Sequence, residues 1–390
     1  MYRIGEEEIR AVERVIKSKE LFKVNGGALQ ETMHAEEELR AKFGAPYSVI
    51  MTSGHAALAA ALIGLGIGPG DQVIVPAYTY IATAMAVLEA GAIPVIAEID
   101  GSLTLDPDDF ERKITPYTKA VMPVHIQGFP CDMDRICEIA KRHGIAVVED
   151  ACQADGATYH GKRLGTIGDA GAYSFNFYKI ISMGEGGALV TNRRDVFEGA
   201  FIYHDSSAVA FFGNQLDNFS VEPFCGGEYR TNEIATAMLR EQLKKLDGII
   251  ADLRRVKKTF MAALSDVAAF IRSNDIEGDL GTGATLIFDT AEKAERFGAL
   301  VGGAPTIHTG KHVYSNWTPI LEKRGALHPL MDPFKMEANL PITPDYSVDM
   351  CPVSLDYLKR TVHIPMNPDW TDEELEEKIA LVKSALAQLG

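Results

Sequence analysis

The sequence predicts an α/β protein, with a mainly parallel sheet flanked by helices and a smaller C-terminal α/β domain. Between residues 47 and 191, short apolar segments alternate with helical ones. These segments are apolar throughout, which is typical of strands buried on both faces of a parallel sheet. From about residue 250 such segments become sparse, so we predict a large domain over residues 1–245 and a smaller one over residues 246–390.

The elements of the large domain follow from their local patterns. The first helix is predicted from the helical spacing of Ile4, Ile9, Val12 and Ile16, which we expect on one buried face. A second helix closes on Gly44. Strands are predicted within YSVIM, DQVIVP, IPVIA, KAVMPV, IAVVED, AYSF and GALVTN, and helices within HAALAAALIGLG, IATAMAVLEAG and DMDRICEIAKRHG.

The second half begins with a long helical segment at residues 232–267, in which Gly248 predicts an interruption. The last helix is predicted to start at a capping box formed by Thr371 and Glu374.

Composition excludes several classes of function. The 390 residues include 38 basic and 54 acidic ones, a formal charge of −16, which opposes binding to nucleic acid or to an anionic membrane surface. Five scattered cysteines without a C-x-x-C pair argue against a disulfide framework and a zinc site, and favour the reducing cytoplasm. The chain start also lacks the pattern of a signal peptide.

Ligands of open parallel sheets gather at the carboxyl ends of the strands, where this chain places several polar residues. Ser53 and Gly54 follow YSVIM and precede a helix, so they fit either a phosphate site or an ordinary N-cap. Asp150 and Gln153 follow IAVV, where a carboxylate could cap a helix or hold a proton on a buried heterocycle.

Three more candidates follow later strands. Tyr80 fits either core packing or a ring lying on a cofactor. Ser174 ends AYSF, and Lys179 lies five residues beyond it. Alone, Lys179 would be read as a surface residue whose alkyl stem covers apolar neighbours.

Taken in order, these segments resemble the DegT/DnrJ/EryC1/StrS family of sugar aminotransferases, which are fold type I enzymes dependent on pyridoxal 5'-phosphate. The matching segments are TSGHAAL, VPAYTYIAT, VHIQGFPCDMD, VVEDACQA, GTIGDAGAYSFNFYKIISMGEGGALVTN and GGEYRTNEIATAMLREQLKKLD. The resemblance implies transfer of an amino group from glutamate or glutamine to a keto or aldehyde group of a sugar or cyclitol. Pyridoxamine 5'-phosphate would be the intermediate form of the cofactor.

The resemblance also implies roles for individual residues. Lys179 would form the internal aldimine and carry the proton, and Asp150 would pair with the pyridinium nitrogen. The remaining cofactor contacts would be Ser53, Gly54, His55 and Ser174 at the phosphate, Tyr80 on the ring and Gln153 near the cofactor hydroxyl.

Some positions depart from the family pattern. His55 stands where many relatives have threonine, and Glu228 stands where many have an asparagine that contacts the partner's phosphate. Arg230 fits either a donor carboxylate or a structural ion pair. Glu185 has no derivable role. A related branch of dehydratases has histidine in place of Lys179, so the lysine favours transamination.

The acceptor is left open as a nucleotide-linked, phosphorylated or free sugar or a cyclitol. Another fold type I activity, such as a lyase or racemase, or a noncatalytic binding protein, would retain much of the same pattern. The resemblance also implies a homodimer with shared active sites. Substrate contacts are predicted within residues 308–334, at His308, His312, Tyr314, Asn316 and Trp317.

Overall fold

The computed structural model describes residues 3–23, 27–206, 216 and 218–389. Among these residues the strands, in chain order, are β1 Tyr47–Met51, β2 Gln72–Pro76, β3 Ile93–Ala97, β4 Thr118–Val121, β5 Ala146–Asp150, β6 Thr158–Tyr159, β7 Lys162–Arg163, β8 Ala170–Ser174, β9 Gly187–Thr191, β10 Gly283–Ile287 and β11 Thr361–Pro365. Seven of them form the main sheet, in the order β1-β9-β8-β5-β4-β2-β3.

The main sheet is mixed, with one strand reversed. β9 runs antiparallel to both β1 and β8, whereas the pairs from β8 to β3 are parallel. Every residue of β2, β3, β8 and β9 is buried, as expected for strands covered on both faces. The predicted α/β fold with a mainly parallel sheet is confirmed.

Helices cover the sheet and link its strands. The described helices of four or more residues are α1 Glu6–Ser18, α2 Glu31–Phe43, α3 Gly54–Gly64, α4 Ala82–Glu89, α5 Pro107–Arg112, α6 Met133–His143, α7 Arg194–His204, α8 Glu233–Leu264, α9 Ala291–Val301, α10 Thr318–Leu321, α11 Pro352–Arg360 and α12 Asp372–Ala387. The predicted capping box is present, since Thr371 Oγ1 accepts from the Glu374 N–H at 3.2 Å and Glu374 Oε2 accepts from the Thr371 N–H at 2.8 Å.

The predicted interruption at Gly248 is wrong, because α8 continues through it as one helix of 32 residues. A glycine costs a helix about 1 kcal/mol relative to alanine. Burial of Leu246, Ile249 and Ile250 on either side outweighs that cost. The predicted domain boundary at 245/246 therefore falls inside a helix, and the residues beyond α8 build the antiparallel pair β10–β11 with α9, α11 and α12.

The buried face of α1 also differs from the prediction. Ala11 and Val15 are the buried apolar residues of this helix, whereas Ile9 and Ile16 are 58% and 56% exposed. Ile4 precedes the helix and is 45% exposed. The smaller side chains allow α1 to lie close against α8, where Ala237 joins the same buried cluster.

Candidate active site

One cavity of about 430 Å³ lies at the carboxyl ends of β5 and β8 and the amino ends of α3 and α4. Five segments that are distant in the sequence contribute to its wall, and four of them lie at or next to the ends of strands in the main sheet. All eight residues predicted to contact a cofactor line it: Ser53, Gly54, His55, Tyr80, Asp150, Gln153, Ser174 and Lys179.

One end of the cavity is the start of α3. Ser53 is its N-cap, and its Oγ accepts from the Ala56 N–H at 3.0 Å. A Cβ at Gly54 would lie 2.6 Å from Cys152 Sγ, and a Cβ at Gly187 would lie 2.3 Å from the carbonyl carbon of Ser53. Both glycines therefore let three backbone segments meet. The resulting cradle, with its helix N-terminus, suits a phosphate.

Asp150 also lines the cavity and is 5% exposed at the end of β5. Its Oδ2 accepts from Thr83 Oγ1 at 2.7 Å, and its Oδ1 accepts from the Cys152 N–H at 3.1 Å. Thr83 Oγ1 also lies 2.7 Å from Thr79 Oγ1. These contacts fix the carboxylate plane while each oxygen retains capacity for another hydrogen bond.

The sequence interpretation missed Thr83. It stands in YIAT, one turn after Tyr80 at the start of α4. A threonine there is consistent with ordinary helix packing, and its hydroxyl gains a role only because α4 lies beside the end of β5.

Lys179 lies in the connection between β8 and β9, and its N–H donates to the Asn176 carbonyl at 3.1 Å. The residue is half-buried, and within the described part of the chain its Nζ has no hydrogen-bond or ion-pair partner. An unpaired lysine amine in a cavity is free to react with a ligand carbonyl.

Two rings flank the cavity mouth. Tyr80 is 43% exposed, and its ring centroid lies 5.4 Å from that of His312 at an interplanar angle of 56°. Burial lowers the pKa of His312, although the hydrogen bond to the Thr309 carbonyl by itself would raise it. The imidazole is therefore neutral at ordinary pH and presents an apolar edge beside the tyrosine.

His55 is held by a cluster behind the cavity wall. Its Nε2 lies 2.5 Å from Glu89 Oε2 and its Nδ1 lies 3.2 Å from the Ala82 carbonyl. Glu89 Oε1 accepts from the Tyr203 and Tyr229 hydroxyls, each at 2.8 Å. Burial alone would raise the pKa of Glu89, but these donors outweigh it and lower the pKa to about 2.

The same pairing acts on the imidazole. Burial by itself would lower the pKa of His55, but the Glu89 carboxylate reverses this effect and raises it. Both ring nitrogens face acceptor oxygens, so the two hydrogen bonds also favour the protonated ring. The Glu89 carboxylate thus favours the charged form of His55 beside the cradle.

Most of the predicted substrate residues do not line this cavity. Tyr314 and Trp317 lie in the core, where the Tyr314 hydroxyl donates to the Val348 carbonyl at 2.9 Å and Trp317 Nε1 donates to the Lys311 carbonyl at 2.8 Å. His308 is exposed and pairs with Glu295, and Asn316 is exposed and donates to the Gly310 carbonyl. Only His312 of this region reaches the cavity.

Arg230 lies outside the cavity as well. It donates to Glu228 Oε1 at 2.6 Å and to the Asp205 carbonyl at 2.9 Å, and its guanidinium lies 5.2 Å from the Phe22 ring centroid. The structure thus shows Arg230 in an ion pair with Glu228. Glu185 does line the cavity, together with Asn176 and Tyr178.

The comparison with protein families gives a match over residues 2–296 to the DegT/DnrJ/EryC1/StrS aminotransferase family. The chain belongs to this family. GDP-perosamine synthase of Caulobacter vibrioides is 42% identical over 214 residues, which are 55% of this chain and 56% of that protein. The alignment thus spans little more than half of that relative.

Two other similar proteins match over nearly their whole length. Spore coat polysaccharide biosynthesis protein SpsC of Bacillus subtilis is 32% identical over 388 residues, covering 97% of this chain and 94% of that protein. Among solved structures, S. venezuelae DesV in complex with a ketimine intermediate superposes with a TM-score of 0.76 at 28% identity, covering 97% of this chain and 94% of that one. The fold and the family therefore agree.

Proposed function

We propose that the protein is a pyridoxal phosphate-dependent aminotransferase. It would move an amino group from glutamate or glutamine to a keto or aldehyde group of a sugar, whether nucleotide-linked, phosphorylated or free, or of a cyclitol. The convergence of the unpaired Lys179, the buried Asp150 and the cradle at Ser53 and Gly54 in one cavity carries this proposal.

The cavity fits the cofactor. Its phosphate would lie at the start of α3, where Gly54 and Gly187 let the backbone segments of the cradle approach closely, with Ser53 and Ser174 as hydroxyl donors. His55 would add a positive charge there. Pyridoxal phosphate, when bound, supplies an electron-accepting ring that stabilises negative charge at the α-carbon of the amino donor.

The chain's own residues would do the rest. Asp150, oriented by Thr83, would hold a proton on the ring nitrogen, because a fixed carboxylate favours the charged form of its partner. Lys179 Nζ would bind the aldehyde covalently at rest and, once released, would move the proton between donor and cofactor. Tyr80 would cover one face of the ring, and Gln153 would lie near the ring hydroxyl.

We further propose a homodimer with shared sites, located in the cytoplasm. Phe177 and Tyr178 are 60% and 81% exposed next to Lys179, and Met85 on α4 is 46% exposed. Large apolar side chains exposed around a cavity mouth are typical of a surface that another chain covers. All five cysteines are free, which suits a reducing compartment.

The absorption spectrum of the purified protein tests the central claim. We expect a visible band after incubation with pyridoxal phosphate, bleached by glutamate or glutamine with release of the corresponding keto acid, and absent from Lys179→Ala. The control is Lys258→Ala, an exposed lysine on α8, which should behave like the wild type. A protein without this band, or one whose band persists in Lys179→Ala, would contradict the assignment. Conversion of the amino acid with the visible band retained, and without a keto acid that matches amination of the cofactor, would instead favour a lyase or racemase.

A further inference from the structure

A groove of about 480 Å³ lies between the second half of α8 and residues 268–281. Its volume is in the range of small-molecule sites, which typically measure about 300–1,000 Å³. Asp279 and Gly281 line this groove, whereas Leu280 and Thr282 line a cavity of about 240 Å³ beside Lys179. An occupant of the groove would therefore lie outside the reaction site, with residues 279–282 between the two.

The wall of the groove is largely apolar. On α8 it includes Met261 and Ala262, and on the segment after α8 it includes Ala268, Phe270 and Ile276. Ile276 is 49% exposed, although an isoleucine gains free energy when its side chain is covered. The groove therefore offers contact area for an aliphatic chain or an aromatic ring.

Among the described residues, five charged side chains line the groove, and four of them offset one another in sign. Lys257 Nζ donates to Asp279 Oδ2 at 2.7 Å, and both side chains are buried. Lys258 and Glu277 are exposed to solvent and carry opposite charges. The fifth is Arg254, so the wall has a net positive charge.

Arg254 is held by backbone carbonyls. Its Nε donates to the Asp279 carbonyl at 2.7 Å, and its Nη2 donates to the Gly278 carbonyl at 2.9 Å. Within the part of the chain that the structure describes, its Nη1 has no hydrogen-bond partner and the guanidinium forms no ion pair. Burial lowers the pKa of Arg254, although the carboxylates of Asp279, Asp275 and Glu277 oppose this effect. A part-buried cation of this kind favours an anion beside it.

We propose that this groove is a second small-molecule site, which binds an amphiphilic anion such as an aliphatic or aromatic carboxylate. The anionic group pairs with Arg254, whose planar fork matches a carboxylate, and the apolar part lies on Met261, Phe270 and Ile276. A sugar phosphate would leave the apolar wall uncovered, and a neutral molecule would leave Arg254 without an anion. This inference does not depend on the proposed function.

The test uses 8-anilinonaphthalene-1-sulfonate, an aromatic anion that fluoresces in apolar surroundings, as the probe. It is titrated into the full-length protein with and without pyridoxal phosphate, and is then displaced by octanoate or by 1-octanol. We expect one probe per chain with a dissociation constant below about 100 μM. In Arg254→Met, octanoate affinity should fall roughly tenfold, the loss of a hydrogen bond between charged groups, whereas 1-octanol affinity should stay unchanged.

Two further variants keep the test independent of the loop contacts of Arg254. The matched control is Arg255→Met, the next residue on α8, which is exposed and lies 3.5 Å from Asp372 rather than in the groove. It should bind octanoate like the wild type. Ala262→Trp fills the groove from an exposed position on α8, so it should lose at least about tenfold in affinity for the probe while its melting temperature stays unchanged.

Three results would overturn the proposal: no saturable binding of the probe by the wild type, equal octanoate affinity in Arg254→Met, or undiminished probe binding by Ala262→Trp. The second result would assign the groove to a neutral ligand, and the third would place the probe elsewhere. A changed oligomeric state of Ala262→Trp in analytical ultracentrifugation would also overturn it, because the groove would then be a contact between two copies of the chain. The visible band at Lys179 has no part in these measurements, so failure of the proposed function is a separate observation.

Discussion

The substitution Glu89→Gln removes the carboxylate that holds His55, Tyr203 and Tyr229 together behind the cradle. The difference between the ordinary pKa of 4.5 and the lowered pKa of about 2 corresponds to roughly 3 kcal/mol that stabilises the charged Glu89 side chain in the folded protein. Because 26% of the side chain remains exposed, solvent screens part of this, and we expect a loss of about 1.5–2 kcal/mol in the free energy of unfolding at pH 7.

The sign of the pH dependence follows from the lowered pKa. A carboxylate whose folded pKa is depressed contributes stability above its ordinary pKa and loses that contribution as the pH falls toward the folded value. The difference between wild type and Glu89→Gln should therefore narrow as the pH falls from 4.5 toward 2. Because Glu89 also raises the pKa of His55, the difference should also decline as the pH rises above about 6.5. Urea unfolding followed by circular dichroism at pH 7, 5, 4 and 3 measures it.

The matched control is Glu37→Gln, which removes the carboxylate of an exposed histidine pair. Glu37 lies 3.3 Å from His34, and both side chains are more than 40% exposed. An exposed pair contributes less than about 1 kcal/mol, so this variant should stay close to the wild type. Equal stability of Glu89→Gln and wild type at pH 7, or a difference that does not narrow in acid, would refute the reasoning.

Three further predictions concern the cofactor cavity. Gly187→Ala should weaken pyridoxal phosphate binding at least about tenfold in an absorbance titration, because the added Cβ would lie 2.3 Å from the Ser53 backbone. The control Gly248→Ala, whose Cβ would have no atom within 4 Å, should bind the cofactor normally and should gain about 0.5–1 kcal/mol in the free energy of unfolding. Thr83→Val should weaken the same binding by roughly tenfold, since it removes a hydrogen bond to the charged Asp150 while preserving volume; unchanged affinity would exclude that role. Removing the cofactor by dialysis against hydroxylamine should lower the free energy of unfolding by about 2.7 kcal/mol, relative to protein kept with free pyridoxal phosphate at a hundred times its dissociation constant. An unchanged melting temperature would contradict binding of the cofactor to the folded state.

Local patterns predicted which residues meet in one cavity, because these residues lie in short segments and are placed by one rule. Ser53, Asp150 and Ser174 each follow a strand, and parallel strands end at the same edge of a sheet. Their meeting in one cavity was therefore predictable without knowing the strand order. The family resemblance added the roles of Lys179 and Tyr80.

The sequence pattern did not show which of two consecutive carboxylates would line the cavity. Glu149 and Asp150 are consecutive carboxylates at the end of β5. Side chains of consecutive strand residues point to opposite faces. Asp150 thus enters the cavity, whereas Glu149 accepts from the backbone N–H groups of Gly165, Ile167 and Gly168 at 2.6–2.7 Å and fixes that loop.

The region after residue 300 shows the opposite case. Polar and aromatic residues there predicted a substrate surface, but Tyr314 and Trp317 use their polar atoms on nearby backbone carbonyls and fill the core. An aromatic residue with a polar group serves a core as well as a sugar site, since both require an apolar ring and a satisfied hydrogen bond. Only the packing of the short turns showed that His312 faces Lys179.

The sequence by itself determined the α/β class, the positions of Ser53, Asp150 and Ser174 after strands, and the resemblance to the family, because these depend on residue type and spacing along the chain. The tertiary structure alone decided which partners those residues have: Thr83 for Asp150, Glu89 for His55, and none among the described residues for Asp155 Oδ1. Such pairings join residues as far as 67 positions apart, as for Thr83 and Asp150. They depend on how helices pack across the sheet, which no local pattern specifies.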